Sequence, residues 1–179
     1  MVQIRNARPS DVVRLTALAQ KTYGEAFGHS FTPSDLAAHL ETELSAERIA
    51  AILRQDTVLV AEVAGQLVGF LQCGHNHVLH DGVTVPEQEV RRLYVDAAFQ
   101  NRGIGARLMA AALALPELRE AAAIVLDVWE HNPGAQRFYA RYGFVVAGAR
   151  EFVVASGAET SRDLIMVRRA PVDPADAGN

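Results

Sequence analysis

The strongest constraint on the fold is the segment from Val90 to Leu113, where a strand-like run passes through a glycine turn into a helix-like run. "QEVRRLYVD" has the β-branched and aromatic residues of a strand, and "GIGARLMAAALALPEL" repeats its apolar residues at helical spacing. "QNRGIG", residues 100–105, joins the two runs. A strand that leads directly into a helix is a building unit of α/β sheets, so the pattern predicts a mixed sheet with helices packed on it.

The glycine turn is suited to holding an anion. A helix N-terminus presents four N–H groups without partners and the positive end of the helix dipole. Gly103 and Gly105 allow close approach to this backbone because they carry no Cβ, and Arg102 and Arg107 can add positive charge. The turn therefore predicts either a phosphate site or only a tight strand–helix connection, and the glycines alone do not separate the two.

Two common phosphate loops are excluded by the residues that follow the glycines. A P-loop has Lys and Ser or Thr after its last glycine, where this chain has Ala106 and Arg107. A Rossmann fingerprint has a third glycine three residues after the second, and that position is Leu108.

The other segments alternate between strand and helix signals. "VQIRNA" predicts a strand, and we expect Ser10 or Asp11 to cap the helix that follows it. One or two further helices are expected to begin near Ser34 or Asp35, before the hairpin "TVLVAEVAGQLVGFLQCG". "AAIVLDVWEHN" then predicts a buried strand, "PGAQRFYARYG" a short helix capped by Asn132, and "FVVAGAREFVV" and "RDLIMVRR" two closing strands. The predicted order is βααββ–βα–βα–ββ.

Length and charge limit the protein class. A chain of 179 residues is most simply one domain, which we place at residues 1–170 with a flexible tail at 171–179. The net charge of −4 argues against a nucleic-acid partner. The single cysteine, Cys73, fits a reducing compartment, and neither a signal-peptide core nor a membrane-spanning run is present in the sequence. We therefore expect a soluble cytoplasmic protein.

Two longer segments resemble one family. "VRRLYVDAAFQNRGIGARLM" and "VLDVWEHNPGAQRFYARYGF" are similar to the two conserved regions of the GNAT superfamily of N-acetyltransferases, in the family's order and spacing. The resemblance implies a single-domain GNAT fold, an α/β fold with a mixed central sheet that is splayed in its middle and has helices on both faces. It also implies acetyl-CoA as the co-substrate.

The resemblance further implies where acetyl-CoA binds. Its pantetheine arm would lie in the gap of the sheet along the backbone of residues 93–95, and its pyrophosphate would rest on the N–H groups of residues 102–106. The implied cofactor-binding residues are Leu93, Tyr94, Val95, Gln100, Arg102, Gly103, Ile104, Gly105, Ala106, Asn132, Phe138 and Tyr139.

Catalysis by direct attack in a ternary complex would need three groups. The resemblance assigns the backbone N–H of Val95 to the developing oxyanion and Tyr139 to the acid that protonates the leaving thiolate, although helical spacing alone favours a packing role for Tyr139. Glu89 is the candidate base, with Glu87 and Asp127 as rivals and a solvated carboxylate as the alternative. Strand parity places Glu89 on the same face as Arg91, Leu93 and Val95 unless a bulge intervenes.

The acceptor is expected to be a primary amine of a small molecule, bound under a roof formed by residues 21–45. Predicted substrate-binding residues are Glu25, Phe27 and Asp127. The roof segment and "FVVASGAETSRDLIM", with Phe152, Gly157, Asp163 and Met166, resemble a bacterial subgroup that acetylates polyamines. Carboxylates available to a polyamine are Glu25, Asp35, Glu41 and Glu89.

Two other functions stay open. One is a catalytically silent acetyl-CoA-binding module that regulates a partner, and the other is acetylation of a protein or peptide. Homodimers are common in the resembling family, and the closing strands could pair across a two-fold axis.

Cys73, His75, His77 and His80 lie close together in the sequence, but their spacing matches no closed zinc site, so no metal is predicted. Cys73 is expected to be a small buried residue rather than a nucleophile, because direct transfer needs none.

Overall fold

The computed structural model describes residues 1–78, 87–153 and 160–170. Its strands are β1 Val2–Asn6, β2 Thr57–Val63, β3 Gln66–His75, β4 Glu87–Val95, β5 Ala123–Trp129, β6 Val145–Val153 and β7 Thr160–Arg169. Its α-helices are α1 Val12–Phe27, α2 Pro33–Glu43, α3 Ala46–Gln55, α4 Ile104–Leu113, α5 Pro116–Arg119 and α6 Pro133–Ala140. Within these residues no helix is both long and apolar enough to cross a membrane.

The strands form one seven-stranded sheet in the order β1-β2-β3-β4-β5-β7-β6. Only the β4–β5 pair is parallel, so the sheet is mixed as predicted. One face is covered by α1 and α3 through buried residues such as Leu15 and Ile49. The opposite face is covered by α4, α5 and α6 through residues such as Leu108, Leu118 and Tyr139. Burial of apolar side chains against both faces holds the layers together.

The sheet is splayed in its middle. β4 and β5 pair only at Glu87 with Ala123, Gln88 with Ile124 and Glu89 with Val125. After Glu89, β4 continues along β3 alone, and β5 continues along β7 alone. The gap predicted between these two strands therefore lies in the carboxyl-terminal half of each.

A β-bulge on β4 changes the predicted orientation of Glu89. Gln72 pairs with Arg92 and the next residue, Cys73, pairs with Val90, so Arg91 is the extra residue. The bulge shifts the alternation by one position, and Val90 therefore shares the α4 face with Leu93. The bulge that was named as the exception is therefore present, and Glu89 does not share a face with Leu93 and Val95.

Two of three local predictions also need correction. The first helix is entered through a 3-10 turn, and neither Ser10 nor Asp11 caps it, because the Asp11 carboxylate turns back and accepts from the Arg8 N–H. α2 begins at Pro33, in agreement with the predicted start near Ser34 or Asp35, and Thr32 caps it by accepting from the Asp35 N–H. The short helix α5 was missed, since four residues are too few to show helical periodicity.

The carboxyl-terminal strands agree with the predicted closing pair. β6 is an edge strand of the described sheet, and its residues Val145 and Val146 are exposed. The predicted tail, residues 171–179, and Gly157 lie outside the described residues.

Candidate active site

Two cavities meet at the splayed part of the sheet. A cleft of about 580 Å³ lies on the α4 and α6 side, and a cavity of about 360 Å³ lies under the end of α1. We call them the cleft and the acceptor cavity. Four residues line both of them: Leu93, Asn132, Ala135 and Tyr139. The gap between β4 and β5 thus connects the two faces of the sheet.

The floor of the cleft is the turn that leads into α4. Gly103 precedes the helix with φ +76°, a left-handed conformation that glycine adopts without strain. The first helical hydrogen bond runs from the Arg107 N–H to the Gly103 carbonyl. In the described part of the chain, the N–H groups of residues 102–106 donate to no other group. They form a row of free donors at a helix N-terminus, which suits a phosphate group.

The wall of the cleft is the free edge of β4. Asp96 donates its N–H to Val68 on β3, and hydrogen bonds alternate in direction along an antiparallel strand. The N–H and C=O groups of Leu93 and Val95 therefore point into the gap, where Gln100 Nε2 donates to the Val95 carbonyl at 3.0 Å. The backbone of Tyr94 points toward β3, and its side chain lines the acceptor cavity, so its prediction as a cofactor residue is not supported.

Most of the residues predicted to bind the cofactor line the cleft, but Arg102 does not. The lining residues from that prediction are Leu93, Val95, Gln100, Gly103, Ile104, Gly105, Ala106, Asn132, Phe138 and Tyr139. The Arg102 guanidinium instead lies over the Phe99 ring, 5.4 Å from its centroid. Arg137 and Arg141 line the cleft and were missed, although their spacing of four residues places them on one side of α6.

Tyr139 is held where the two cavities join. α6 begins at Asn132, whose side chain accepts from the Ala135 N–H at 3.0 Å, as predicted. Tyr139 is buried, and its ring packs against Phe138 and Phe144. Burial, reinforced by Tyr94 and Asp127, raises the pKa of Tyr139, so its hydroxyl stays protonated at neutral pH. None of the described residues forms a hydrogen bond with that hydroxyl.

An aromatic roof closes the acceptor cavity, in agreement with the predicted segment. Tyr23, Phe27 and Phe31, from α1 and the turn after it, line the cavity. The Tyr23 ring lies 5.0 Å from Phe27 and stacks on His39 at 4.7 Å. Of the predicted substrate residues, Phe27 and Asp127 line the cavity.

Most of the carboxylates predicted to bind the acceptor lie outside the acceptor cavity. Glu25 is exposed, accepts from the Ala97 N–H at 3.2 Å and does not line the acceptor cavity. Asp35 and Glu41 are exposed and also lie outside it. The structure therefore corrects the expectation that Glu25 contacts the acceptor.

Two aspartates do line the acceptor cavity. Asp127 forms an ion pair with Arg150. The carboxylate of Asp163, on the neighbouring strand β7, makes no hydrogen bond or ion pair within the described residues. Burial and the carboxylate of Asp127 raise the pKa of Asp163 from 3.8 to about 6. Sequence reasoning had noted Asp163 only through the polyamine resemblance.

Glu89 lies in a third cavity of about 370 Å³, beside the acceptor cavity. Its carboxylate accepts from the His77 N–H at 2.9 Å and lies 3.5 Å from Arg91 Nε. Burial raises the pKa of Glu89 against the opposing effects of these two groups. The rival base Glu87 accepts from Asn76 Nδ2 at 2.7 Å and lines none of the three cavities.

The cysteine and histidine segment is only partly described. Cys73 is fully buried, donates to the Thr57 carbonyl at 3.7 Å and has a pKa that burial raises to about 12. Such a thiol does not form the reactive thiolate. Within the described ranges no three His, Cys, Asp or Glu side chains gather as metal ligands, and His80 lies outside those ranges.

Comparisons with known proteins agree, for most of the chain, with the family resemblance found in the sequence. The family model described as "Acetyltransferase (GNAT) family" matches residues 15–144. An uncharacterized N-acetyltransferase of Mycobacterium tuberculosis is 31% identical over 161 residues, which cover 89% of this chain and 97% of that protein. A spermine/spermidine N(1)-acetyltransferase of Bacillus subtilis is 30% identical over 89 residues, 49% of this chain and 59% of that protein.

The fold also matches a solved structure. The PaiA N-acetyltransferase from Thermoplasma acidophilum, crystallised in complex with coenzyme A, superposes with a TM-score of 0.73. The match covers 95% of this chain and 99% of that chain at 18% identity, so it shows a shared fold.

Proposed function

The chain belongs to the acetyltransferase (GNAT) family, and from this premise we propose that it moves an acetyl group from acetyl-CoA to a primary amine of a small molecule. One observation carries the proposal. Two cavities on opposite faces of the sheet meet at Tyr139 through the gap between β4 and β5. Such a passage lets two substrates approach from opposite sides and react directly, without a covalent enzyme intermediate.

The residues of the cleft fit coenzyme A. The free N–H groups of residues 102–106 would hold the pyrophosphate, and Arg137 and Arg141 add positive charge at the same cleft. The backbone N–H and C=O groups of Leu93, which point into the gap, would pair with the pantetheine amides as a neighbouring strand does. Acetyl-CoA supplies the activated acyl group, a thioester whose carbon accepts the amine.

Three groups of the chain would then assist the transfer. The Val95 N–H, which points into the gap, would donate to the carbonyl oxygen as its charge grows. Tyr139, protonated at neutral pH, would donate a proton to the sulfur as the C–S bond breaks and the C–N bond forms. The ammonium of the acceptor would first lose one proton. As the amide forms, its nitrogen would lose a second proton, which replaces the one that Tyr139 donates, so that one proton is released to solvent overall.

Asp163 is better placed than Glu89 to take that proton. Asp163 shares the acceptor cavity with Tyr139, whereas Glu89 lines a separate cavity and is bound by His77 and Arg91. The raised pKa of Asp163, about 6, lies closer to neutral pH than that of an ordinary carboxylate, which favours a general base. Glu89 would act only through water.

A polyamine acceptor has one supporting observation. The similar protein from Bacillus subtilis is named for spermine and spermidine, but the match covers about half of each chain. Of the carboxylates predicted to bind a polyamine, none lines the acceptor cavity. The narrower proposal of a polyamine therefore has less support than the transfer itself.

The test is release of free coenzyme A thiol from acetyl-CoA with a panel of amines and peptides. We expect release with at least one small primary amine. Tight binding of acetyl-CoA with no release for any amine would overturn the proposal and support a regulatory acetyl-CoA-binding module. Release with peptides and none with small amines would support protein acetylation instead. Sedimentation velocity of the same sample would test whether the protein forms the homodimer that pairing of the closing strands would allow.

A further inference from the structure

Two of the three arginines that line the acceptor cavity already have acidic partners. Arg91 forms ion pairs with Asp56 at 3.2 Å and with Glu89 at 3.5 Å. Arg150 pairs with Asp127. Their charges are therefore balanced inside the protein, and neither needs an anion from a ligand.

Arg92 is different, since it has no carboxylate partner among the described residues. Its Nη1 donates to the Gln72 side-chain carbonyl at 3.3 Å, and the other guanidinium N–H groups donate to no described group. Arg92 lines the acceptor cavity and is half-buried there. Its positive charge lowers the pKa values of Tyr23 and Tyr94, against the larger effect of burial on each. An aromatic-walled cavity thus contains a cation, Arg92, that has no acidic partner in the described part of the chain.

The same cavity contains Asp163, whose carboxylate makes no hydrogen bond or ion pair within the described residues, although the charge of Arg150 acts on it. Arg92 and Asp163 line this cavity together with Tyr94. A ligand with one positive and one negative group would satisfy both. A dicationic ligand would pair with Asp163 but would bring its second ammonium toward Arg92.

We propose that the acceptor is a small amino acid-like molecule, whose amine lies by Asp163 and whose carboxylate is bound by Arg92. The planar guanidinium of Arg92 presents parallel N–H donors that match the two oxygens of a carboxylate. This inference rests on the proposed acetyl transfer and adds the chemical class of its acceptor. It replaces the polyamine with a zwitterion.

The test compares acceptors matched in length. Thiol release from acetyl-CoA is measured with 4-aminobutyrate, butylamine and putrescine, and then with shorter and longer ω-amino acids and a set of α-amino acids. We expect kcat/KM for the best amino acid to exceed that for its matched neutral amine by about 10- to 100-fold, the value of a charge-assisted hydrogen bond. The matched diamine is expected to be the poorest substrate.

Variants then assign the preference to Arg92. Arg92→Gln should reduce the ratio of kcat/KM for the amino acid to that for the neutral amine by about tenfold or more, and Arg92→Glu should invert it in favour of the diamine. Arg54→Gln, a matched control at an exposed arginine outside the three cavities, should leave the ratio unchanged. Calorimetric titration with coenzyme A confirms that each variant is folded, because Arg92 does not line the cleft.

The outcomes separate the two proposals. No thiol release with any amine would overturn the acetyl transfer, and this inference with it. Release with a preference for diamines, or a ratio that Arg92→Gln does not change, would overturn the zwitterionic acceptor and leave the acetyl transfer standing.

Discussion

At the scale of single residues, the hydroxyl of Tyr139 is the group to test. Its ring packs in the core, but none of the described residues bonds to its hydroxyl, so Tyr139→Phe should leave the thermal midpoint unchanged. Removal of a general acid should reduce kcat by about 100-fold or more. Steady-state kinetics and thermal denaturation measure the two effects separately.

Tyr142 is the matched control for that change, because it lies three residues further along and its hydroxyl has a structural partner. It donates to the Ala106 carbonyl at 3.3 Å. Tyr142→Phe should therefore cost about 1 kcal/mol of stability and leave kcat nearly unchanged. If Tyr139→Phe kept its full kcat, or lost stability as Tyr142→Phe does, the hydroxyl of Tyr139 would be a packing group and not an acid.

At the scale of elements, the turn into α4 contains two glycines with different roles. Gly103 has φ +76° with no atom near its ideal Cβ, so Gly103→Ala should destabilise the protein by about 1–2 kcal/mol through backbone strain alone. At Gly105 a Cβ would make ordinary contacts with Phe138 at 3.8 Å and with Val95 at 3.9 Å, both of which line the cleft. Gly105→Ala should keep its stability and weaken coenzyme A binding by about tenfold.

Urea unfolding and calorimetric titration with coenzyme A measure these two quantities on the same samples. The expected pattern is a loss of stability for one variant and a loss of affinity for the other. Unchanged affinity in Gly105→Ala, and also in the larger Gly105→Val, would show that the ligand does not approach this backbone.

The elements show how far the sequence could predict the site. Periodicity and turn residues found all seven strands, and the glycine turn and Asn132 cap were predictable because each depends on neighbours within four residues. The orientation of Glu89 was not predictable, because the bulge at Arg91 depends on the pairing of β4 with β3, a strand distant in the sequence. The position of Glu25 was missed for the same kind of reason, since its partner, the Ala97 N–H, is 72 residues away.

At the scale of the whole molecule, one buried carboxylate joins three elements. Asp11, before α1, forms an ion pair at 2.7 Å with Arg5 of β1, and Arg5 also pairs with Glu62 of β2. The Arg5 guanidinium, the Arg8 N–H and Arg14 hold the pKa of Asp11 well below its ordinary value of 3.8. Below that value the unfolded chain binds a proton that the folded protein does not, so the free energy of unfolding should fall as the pH falls from about 4.

Asp11→Asn should lower the free energy of unfolding at pH 7 by about 1–3 kcal/mol and should flatten its decline below pH 4. Glu41→Gln, a change at an exposed carboxylate without a partner among the described residues, should alter neither. Urea denaturation at a series of pH values measures both. If the free energy of unfolding of Asp11→Asn fell as steeply below pH 4 as that of the unchanged protein, the proton uptake would occur at other carboxylates.

The splayed sheet has a mechanical consequence. The strands β1, β2, β3 and β4 form one part of the sheet, and β5, β7 and β6 form the other. Within the sheet, the two parts are joined by only three residue pairs, all at one end of the gap. A long substrate that fills the gap between β4 and β5 would contact both parts of the sheet and hold them together. We therefore expect the protein to be more rigid with this substrate bound than without it.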